Sequence, residues 1–312
     1  MLVFAVKHKD ETIRANSRSG GIFTAISDQF LNGGVVYGCI LDDEFNAHHV
    51  RVEDNTGRDK MRGSKYIQSQ IGDCFRQVKK DLDDGKKVLF SGTSCQIAGL
   101  RCFLRKEYTN LLCVDIVCHG VPSPAVWHKY LDWISNGKKV TGVDFRNKTD
   151  FGWAAHVETI RMGDDKVDSE VFKNLFYGHN VLRPSCYECP YKSIHHPGDI
   201  TIADYWGVDK AAPGFNDNKG ASLVLVNTDK GQEYFEKAKN DVEWRETRIE
   251  DSMQPPLKSP FPRPKERDVF WKEIKTKDFS YIAKKYGTVK KPSLIRRCVR
   301  KAKRIVKKII GR

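Results

Sequence analysis

Through the first half of the chain, short apolar runs alternate with amphipathic stretches, each bounded by glycine, proline or aspartate. The pattern predicts a helix over 22–31, opened by Ser19-Gly20-Gly21 and closed by Asn32-Gly33-Gly34. Strands follow at 35–41 and 48–52, then a helix at 71–82 ended by Asp83-Asp84-Gly85. A short buried strand at 87–90, a helix at 96–105, a buried strand at 111–117 and a helix at 124–134 complete this half. Such strand–turn–helix alternation predicts parallel βαβ units. Ligand-binding turns in such sheets lie at the carboxyl ends of the strands.

The period changes beyond residue 140. Residues 143–146, 156–161 and 166–171 alternate as antiparallel strands, followed by a cysteine-bearing loop. Further strands are expected at 199–203 and 222–226, and a helix at 231–239. Residues 254–264 (Gln-Pro-Pro-Leu-Lys-Ser-Pro-Phe-Pro-Arg-Pro) predict an extended linker, with short helices after it. The expected class is α/β: a mixed sheet with βαβ units flanked by helices, an antiparallel portion, and a C-terminal basic amphipathic helix. The expected division is a main domain over 1–260, a helical extension over 261–289 and a basic tail over 290–312.

Charge sharpens that division. The chain of 312 residues carries a formal charge of +14, yet residues 290–312 hold eleven Lys or Arg and no Asp or Glu. The body is therefore nearly neutral, which argues against a nucleic-acid partner. Leu294, Ile295, Val299, Ala302, Ile305, Val306, Ile309 and Ile310 recur at helical spacing between the cations. A helix of this kind suits an anionic membrane surface, although docking on the body or a partner gives the same pattern. No run approaches the ~18 uncharged apolar residues of a membrane span. Met1–His8 is too short and too soon charged for a signal peptide. The expected location is cytoplasmic, and peripheral at the inner membrane face if the tail binds lipid. There the nine cysteines are expected to be reduced, metal-bound or catalytic.

Four of those cysteines sit at turns. Cys186 and Cys189 form a Cys-x-x-Cys pair followed by Pro190, while Cys95 and Cys118 end strand-like runs. Thiolates at turns hold zinc or iron–sulfur clusters, although a free cysteine is as often simply buried. Cys39, Cys74, Cys102 and Cys113 lie within helical or strand runs, and Cys298 lies in the tail.

Other segments offer polar groups at turns. Ser19, Gly20, Gly21 and Thr24 open a helix whose free N–H groups could hold a phosphate, or form an ordinary capped start. Lys65, Tyr66, Gln68 and Ser69 present a cation, a ring and polar groups before a helix, as a nucleotide site or a solvated helix entry would. His119 beside Cys118 is a candidate proton relay or a turn residue. Arg146 and Lys148, before Gly152-Trp153, suit either an anion-contacting loop or a plain hairpin connection. Ser/His/Asp spacing, a Walker loop and a Gly-x-Gly-x-x-Gly fingerprint are not seen.

Taken in order, these motifs resemble the beta subunit of coenzyme F420-reducing hydrogenase and its dehydrogenase relatives. The likeness runs through Ser19–Thr24, Gly63–Ser69, Leu89–Leu100, Asp115–Pro124, Phe145–Lys148, Arg183–Pro190 and Asp199–Gly207, over about residues 15–260. The resemblance implies an oxidoreductase with FAD and a [4Fe–4S] cluster in one chain. It implies Cys95, Cys118, Cys186 and Cys189 as cluster ligands, with Asp199 or Asp204 able to replace one. Ser19–Thr24, Lys65–Ser69 and Thr93 would contact the flavin. Many relatives begin with a ferredoxin-like domain, whereas the flavin motif here comes almost at once. The expected electron donor is a separate ferredoxin or redox partner protein. The alternative is a non-redox, membrane-peripheral assembly protein whose four cysteines hold structural zinc.

Overall fold

The computed structural model describes residues 1–288. The basic tail and Cys298 lie outside the described residues, as does the expectation of an amphipathic helix there. Eleven strands are present among the described residues. They are β1 (Leu2–His8), β2 (Val35–Leu41), β3 (Ala47–Val52), β4 (Val88–Thr93), β5 (Leu111–Ile116) and β6 (Gly142–Asp144), followed by β7 (Glu158–Met162), β8 (Asp165–Ser169), β9 (Ile200–Asp204), β10 (Ser222–Val226) and β11 (Val242–Thr247). One mixed sheet has eight strands in the order β11-β1-β10-β9-β5-β4-β2-β3, and a separate antiparallel sheet is ordered β6-β7-β8.

β2, β4, β5 and β9 run parallel, joined by registers such as Leu89↔Leu112 and Val114↔Ile200. Their continuous apolar letters reflect burial on both faces. Leu89, Leu112 and Val114 face Ile22, Ile26 and Phe235, whereas Val88, Phe90 and Cys113 face Val78, Ile97 and Leu100. Full burial of each such aliphatic side chain contributes about 1.5–3 kcal/mol. The helices Ile22–Ser27 and Asp229–Ala238 thus cover one face, and Cys74–Asp83 and Ser94–Leu104 the other.

β1 lies in mid-sheet between β10 and β11, with Val3 opposite both Leu225 and Thr247. Neither β1 nor β11 is predicted from local pattern, because β1 finds its partners at the far end of the chain. The small sheet packs with the helices Pro124–Ser135 and Val171–Tyr177 around Trp127, Tyr130, Phe145 and Phe172. Phe270, Ile274 and Ile282 enter the same core from the helices Arg267–Thr276 and Phe279–Tyr286.

The proline-rich stretch differs from the expected linker. Pro256 and Leu257 are buried, and the Phe261 ring stacks on His119 and His179 at 4.1 and 4.4 Å. It is a strap held by apolar anchors. Among the described residues, no helix is long and apolar enough to cross a membrane.

Candidate functional site

The carboxyl ends of β4, β5 and β9 open on one side of the sheet, as parallel strands must, and each delivers a marked segment there. β4 delivers Thr93 to Cys95, β5 delivers Val117 and Cys118, and β9 delivers Asp204 to Trp206. A loop from the 180s brings Cys186 and Cys189.

Cys95 starts the helix Ser94–Leu104 and is exposed. Thr93 caps that helix: its N–H donates to Gln96 Oε1 at 2.9 Å, and its Oγ1 lies 3.2 Å from Cys95 Sγ. Cys118 is half-buried beyond β5, and its Sγ accepts from Gly120 N at 3.4 Å. Gly120 has φ +121°, and a Cβ there would come within 2.9 Å of Leu182 and 3.4 Å of Cys186 Cβ. Glycine is therefore required where the Cys118 loop passes the cysteine pair.

Burial pushes the Cys118 thiol up to about 12, and the charges of Cys186 and Cys95 act in the same direction. Burial likewise raises Cys186, with Cys189 and Cys95 adding to it. Cys186 is thus the thiol that the other three bear on, and its loop packs against the Cys118 loop at Gly120. Among the described residues, no group of three or more His, Cys, Asp or Glu is arranged to hold a metal ion. Asp199 and Asp204 are engaged elsewhere, which counters their substitution for a cysteine. Asp199 accepts from Cys113 N at 2.8 Å, Thr228 Oγ1 at 2.9 Å and Arg101 at 3.3 Å. Asp204 accepts from Arg146 at 2.6 Å and Trp153 Nε1 at 2.8 Å.

His119 meets a second imidazole that local sequence does not reveal. Its Nε2 lies 2.8 Å from His179 Nε2, and its ring packs on Phe176 and Phe261. Burial, with His179 and Lys192, depresses its pKa to about 3, so the pair is neutral near pH 7 with one N–H shared between the rings. That state suits a fixed wall better than a proton relay.

Beside the Cys118 loop lies a cluster of aromatic and cationic side chains. Tyr66 packs on His156 at 5.1 Å and on Phe176 at 5.2 Å, and Gln68 N donates to Pro122 O at 3.1 Å, tying this segment to the Cys118 loop. Lys65 Nζ donates to Lys60 O and Arg62 O at 2.9 and 2.8 Å, leaving one ammonium proton free, and burial brings its pKa down to about 8. Ser69 Oγ donates to His49 Nδ1 at 2.6 Å, because His49 Nε2 already donates to Ser91 O at 3.0 Å. Arg146 is buried: it bonds Asp204, meets Tyr66 Oη at 3.4 Å and lies 5.0 Å over Trp206, which stacks on Trp153 at 4.9 Å. Arg18 donates to Arg146 O and Trp153 O at 3.0 and 2.6 Å. Among the described residues, the buried Nε atoms of Arg18 and Arg146 have no hydrogen-bond partner, although Arg18 Nε lies 3.9 Å from Asp204 Oδ2.

Other predicted contacts serve the scaffold. Gly20 N donates to Ser222 Oγ at 2.9 Å and Ser19 Oγ to Ala221 O at 2.6 Å, so this turn locks the loop to β10. Gly21 adopts φ +90° as the cap of the helix Ile22–Ser27. Thr24 is fully buried and accepts from Arg62 Nε at 3.0 Å. Lys148 Nζ spends its protons on the carbonyls of Arg14, Lys219 and Ser19, and burial brings its pKa down to about 8. Arg18, His179, Lys192 and Phe261 were missed; only Arg18, beside Ser19, and Lys192, three residues past Cys189, carry a local signal.

A search of curated proteins finds no match. The fold is similar to a chain in the xenon-derivatised F420-reducing [NiFe] hydrogenase complex from Methanosarcina barkeri, at 16% identity and TM-score 0.55, covering 78% of this chain and 81% of that one. That likeness shows the α/β fold. A family model for the C terminus of the coenzyme F420 hydrogenase/dehydrogenase beta subunit matches residues 85–252, the stretch that holds β4, β5, β9 and all four turn thiols. The strand ends that gather these thiols are thus the part of the molecule with a family signature, and the chain belongs to the coenzyme F420 hydrogenase/dehydrogenase beta subunit family.

Proposed function

We propose that this protein is an FAD- and iron–sulfur-dependent oxidoreductase subunit that passes electrons between a redox partner protein and a second acceptor. Coenzyme F420 is the acceptor implied by the family's name. The observation that supports the reading is the packing of the Cys118 loop on the Cys186 loop, where Arg183 N donates to Val121 O at 2.9 Å, near the strand end that carries Cys95 and beside an aromatic cluster.

Cys95, Cys118, Cys186 and Cys189 are thiol donors of the kind that would hold a [4Fe–4S] cluster, one cysteine to each iron. The aromatic and cationic cluster suits a flavin: Tyr66 and Trp206 supply rings, Lys65 keeps a free proton, and the buried Nε groups of Arg18 and Arg146 lack hydrogen-bond partners. When bound, the two groups supply one-electron and hydride chemistry. The chain's part is to hold the thiols on rigid strand ends, to orient the flavin on the Tyr66 wall and to exclude water with Phe176 and Phe261. Thr93 Oγ1, next to Cys95 Sγ, supplies a polar contact at the exposed edge of the thiol set, where a separate ferredoxin could approach. Residues 290–312 would add attachment to an anionic membrane surface.

Anaerobic purification with iron–sulfide reconstitution tests this. The expected product is brown, with iron, acid-labile sulfide and flavin bound, and the colour bleaches with dithionite. Zinc without flavin, or protein that stays colourless after reconstitution, overturns it.

A further inference from the structure

Lys192 is buried to 4% exposure, which is rare for a lysine without a carboxylate partner. Among the described residues no Asp or Glu pairs with it. Its ammonium instead donates to His119 O at 2.9 Å and sits 4.6 Å over the Phe261 ring. His119 directly follows Cys118, and Lys192 N donates to Cys189 O at 3.4 Å, so the residue is tied to both thiol-bearing loops. Burial lowers its pKa, while Cys118, Cys186 and Cys189 favour its charged form and the His119 and His179 rings lie in its field. Reciprocally, its charge favours the thiolates of Cys118 and Cys186. A buried cation with no carboxylate needs another anion, and these cysteines are the candidates at hand.

We propose that Lys192 is a fixed counter-charge that raises the reduction potential of the group held by the four cysteines. The inference rests on the cluster reading above. Reduction adds one electron, and one negative charge, to a group already anionic. A buried ammonium held between the Cys118 and Cys189 loops favours the reduced state more than the oxidised one, and burial keeps solvent from screening it. Phe261 contributes by covering the ammonium. This explains why the proline-rich strap is anchored here: it seals the cation in with the thiols. The His119 carbonyl fixes the position of the ammonium, so the charge does not swing away when the cluster is reduced.

The test is redox titration of the reconstituted wild type and of Lys192→Met, Lys192→Gln and Lys192→Arg, followed by the EPR signal of the reduced cluster. Both neutral variants should bind wild-type amounts of iron and titrate at a more negative potential, while Lys192→Arg stays near wild type. Wild-type protein that binds no cluster would sink the underlying reading. A loaded wild type with neutral variants at an unchanged potential would sink only the role of Lys192. Neutral variants that fail to load iron beside a Lys192→Arg that loads would also overturn the tuning role and leave a structural one.

Discussion

Asp115 Oδ2 accepts from His196 Nδ1 at 2.9 Å, with the two side chains 0% and 1% exposed. The bond joins β5 to the loop that returns from the cysteine pair to β9. Thr201 Oγ1 holds the other carboxylate oxygen at 2.6 Å, and Ser94 Oγ, one residue before Cys95, lies 3.2 Å from the same His196 nitrogen. One buried pair thereby ties the start of the Cys95 helix and the end of the Cys186–Cys189 loop to the sheet. Removing one partner strands the other in the interior. Asp115→Ala should therefore lower the unfolding free energy by about 1–3 kcal/mol. Urea denaturation would measure it; a loss under about 1 kcal/mol would show that the pair does not hold the loop.

The glycines of the family-like motifs divide into needed and replaceable. A Cβ on Gly20 would stand 2.1 Å from Val6 O and 2.7 Å from Ser222 N, both backbone atoms of neighbouring strands. Gly20→Ala should cost on the order of 3 kcal/mol or more, since β1 and β10 must part to admit it. Gly99 lies inside a helix, where a Cβ would meet only Phe75 at 3.5 Å. Gly99→Ala should add about 0.5–1 kcal/mol. Thermal melts of the two variants should shift in opposite directions.

Acid should weaken the fold through His49. Burial pushes its imidazole down to about 4 from the usual 6.5, and its hydrogen bonds to Ser69 and Ser91 require the neutral tautomer. The unfolded chain takes up the proton first as pH falls, so stability is present above about 6.5 and is lost between there and about 4. At about 1.4 kcal/mol per unit, the loss approaches ~3 kcal/mol. Chemical denaturation at about pH 7 and about pH 5 should show part of it for the wild type and a smaller loss for His49→Gln. Equal losses would exclude His49 as the cause.

Single serine substitutions at Cys95, Cys118, Cys186 or Cys189 should each sharply reduce iron bound after reconstitution. Cys102→Ser, at an exposed cysteine on the same helix as Cys95, should load normally. Iron analysis beside flavin fluorescence decides this. Full loading of any of the four serine variants would remove that cysteine from the ligand set.

Periodic segments were legible because their information is local. The strand at Ser222–Val226 is bounded as predicted, and the helices near β4 and β5 start and end within a few residues of expectation, since their apolar faces and turn residues lie in the segments themselves. The strap at 254–264 misled because proline excludes regular structure but says nothing about docking. Pro256 and Leu257 are anchored by contacts that no local pattern encodes.

The same division holds at the site. The residue order by itself determined which cysteines stand at turns, that two of those turns end parallel strands, and that the cations concentrate in the last residues. These follow from spacing and chemical type alone. Only the tertiary structure decided which polar groups remain available and which the scaffold consumes. Ser19, Gly20 and Lys148 carry site-like letters, yet their bonds go to β10, Ala221 and distant carbonyls. Lys192, an ordinary surface residue by its letter, is buried and bonded to the loops that carry Cys118 and Cys189. Burial and partnership depend on segments far apart in sequence, and those two properties set the charge of each group.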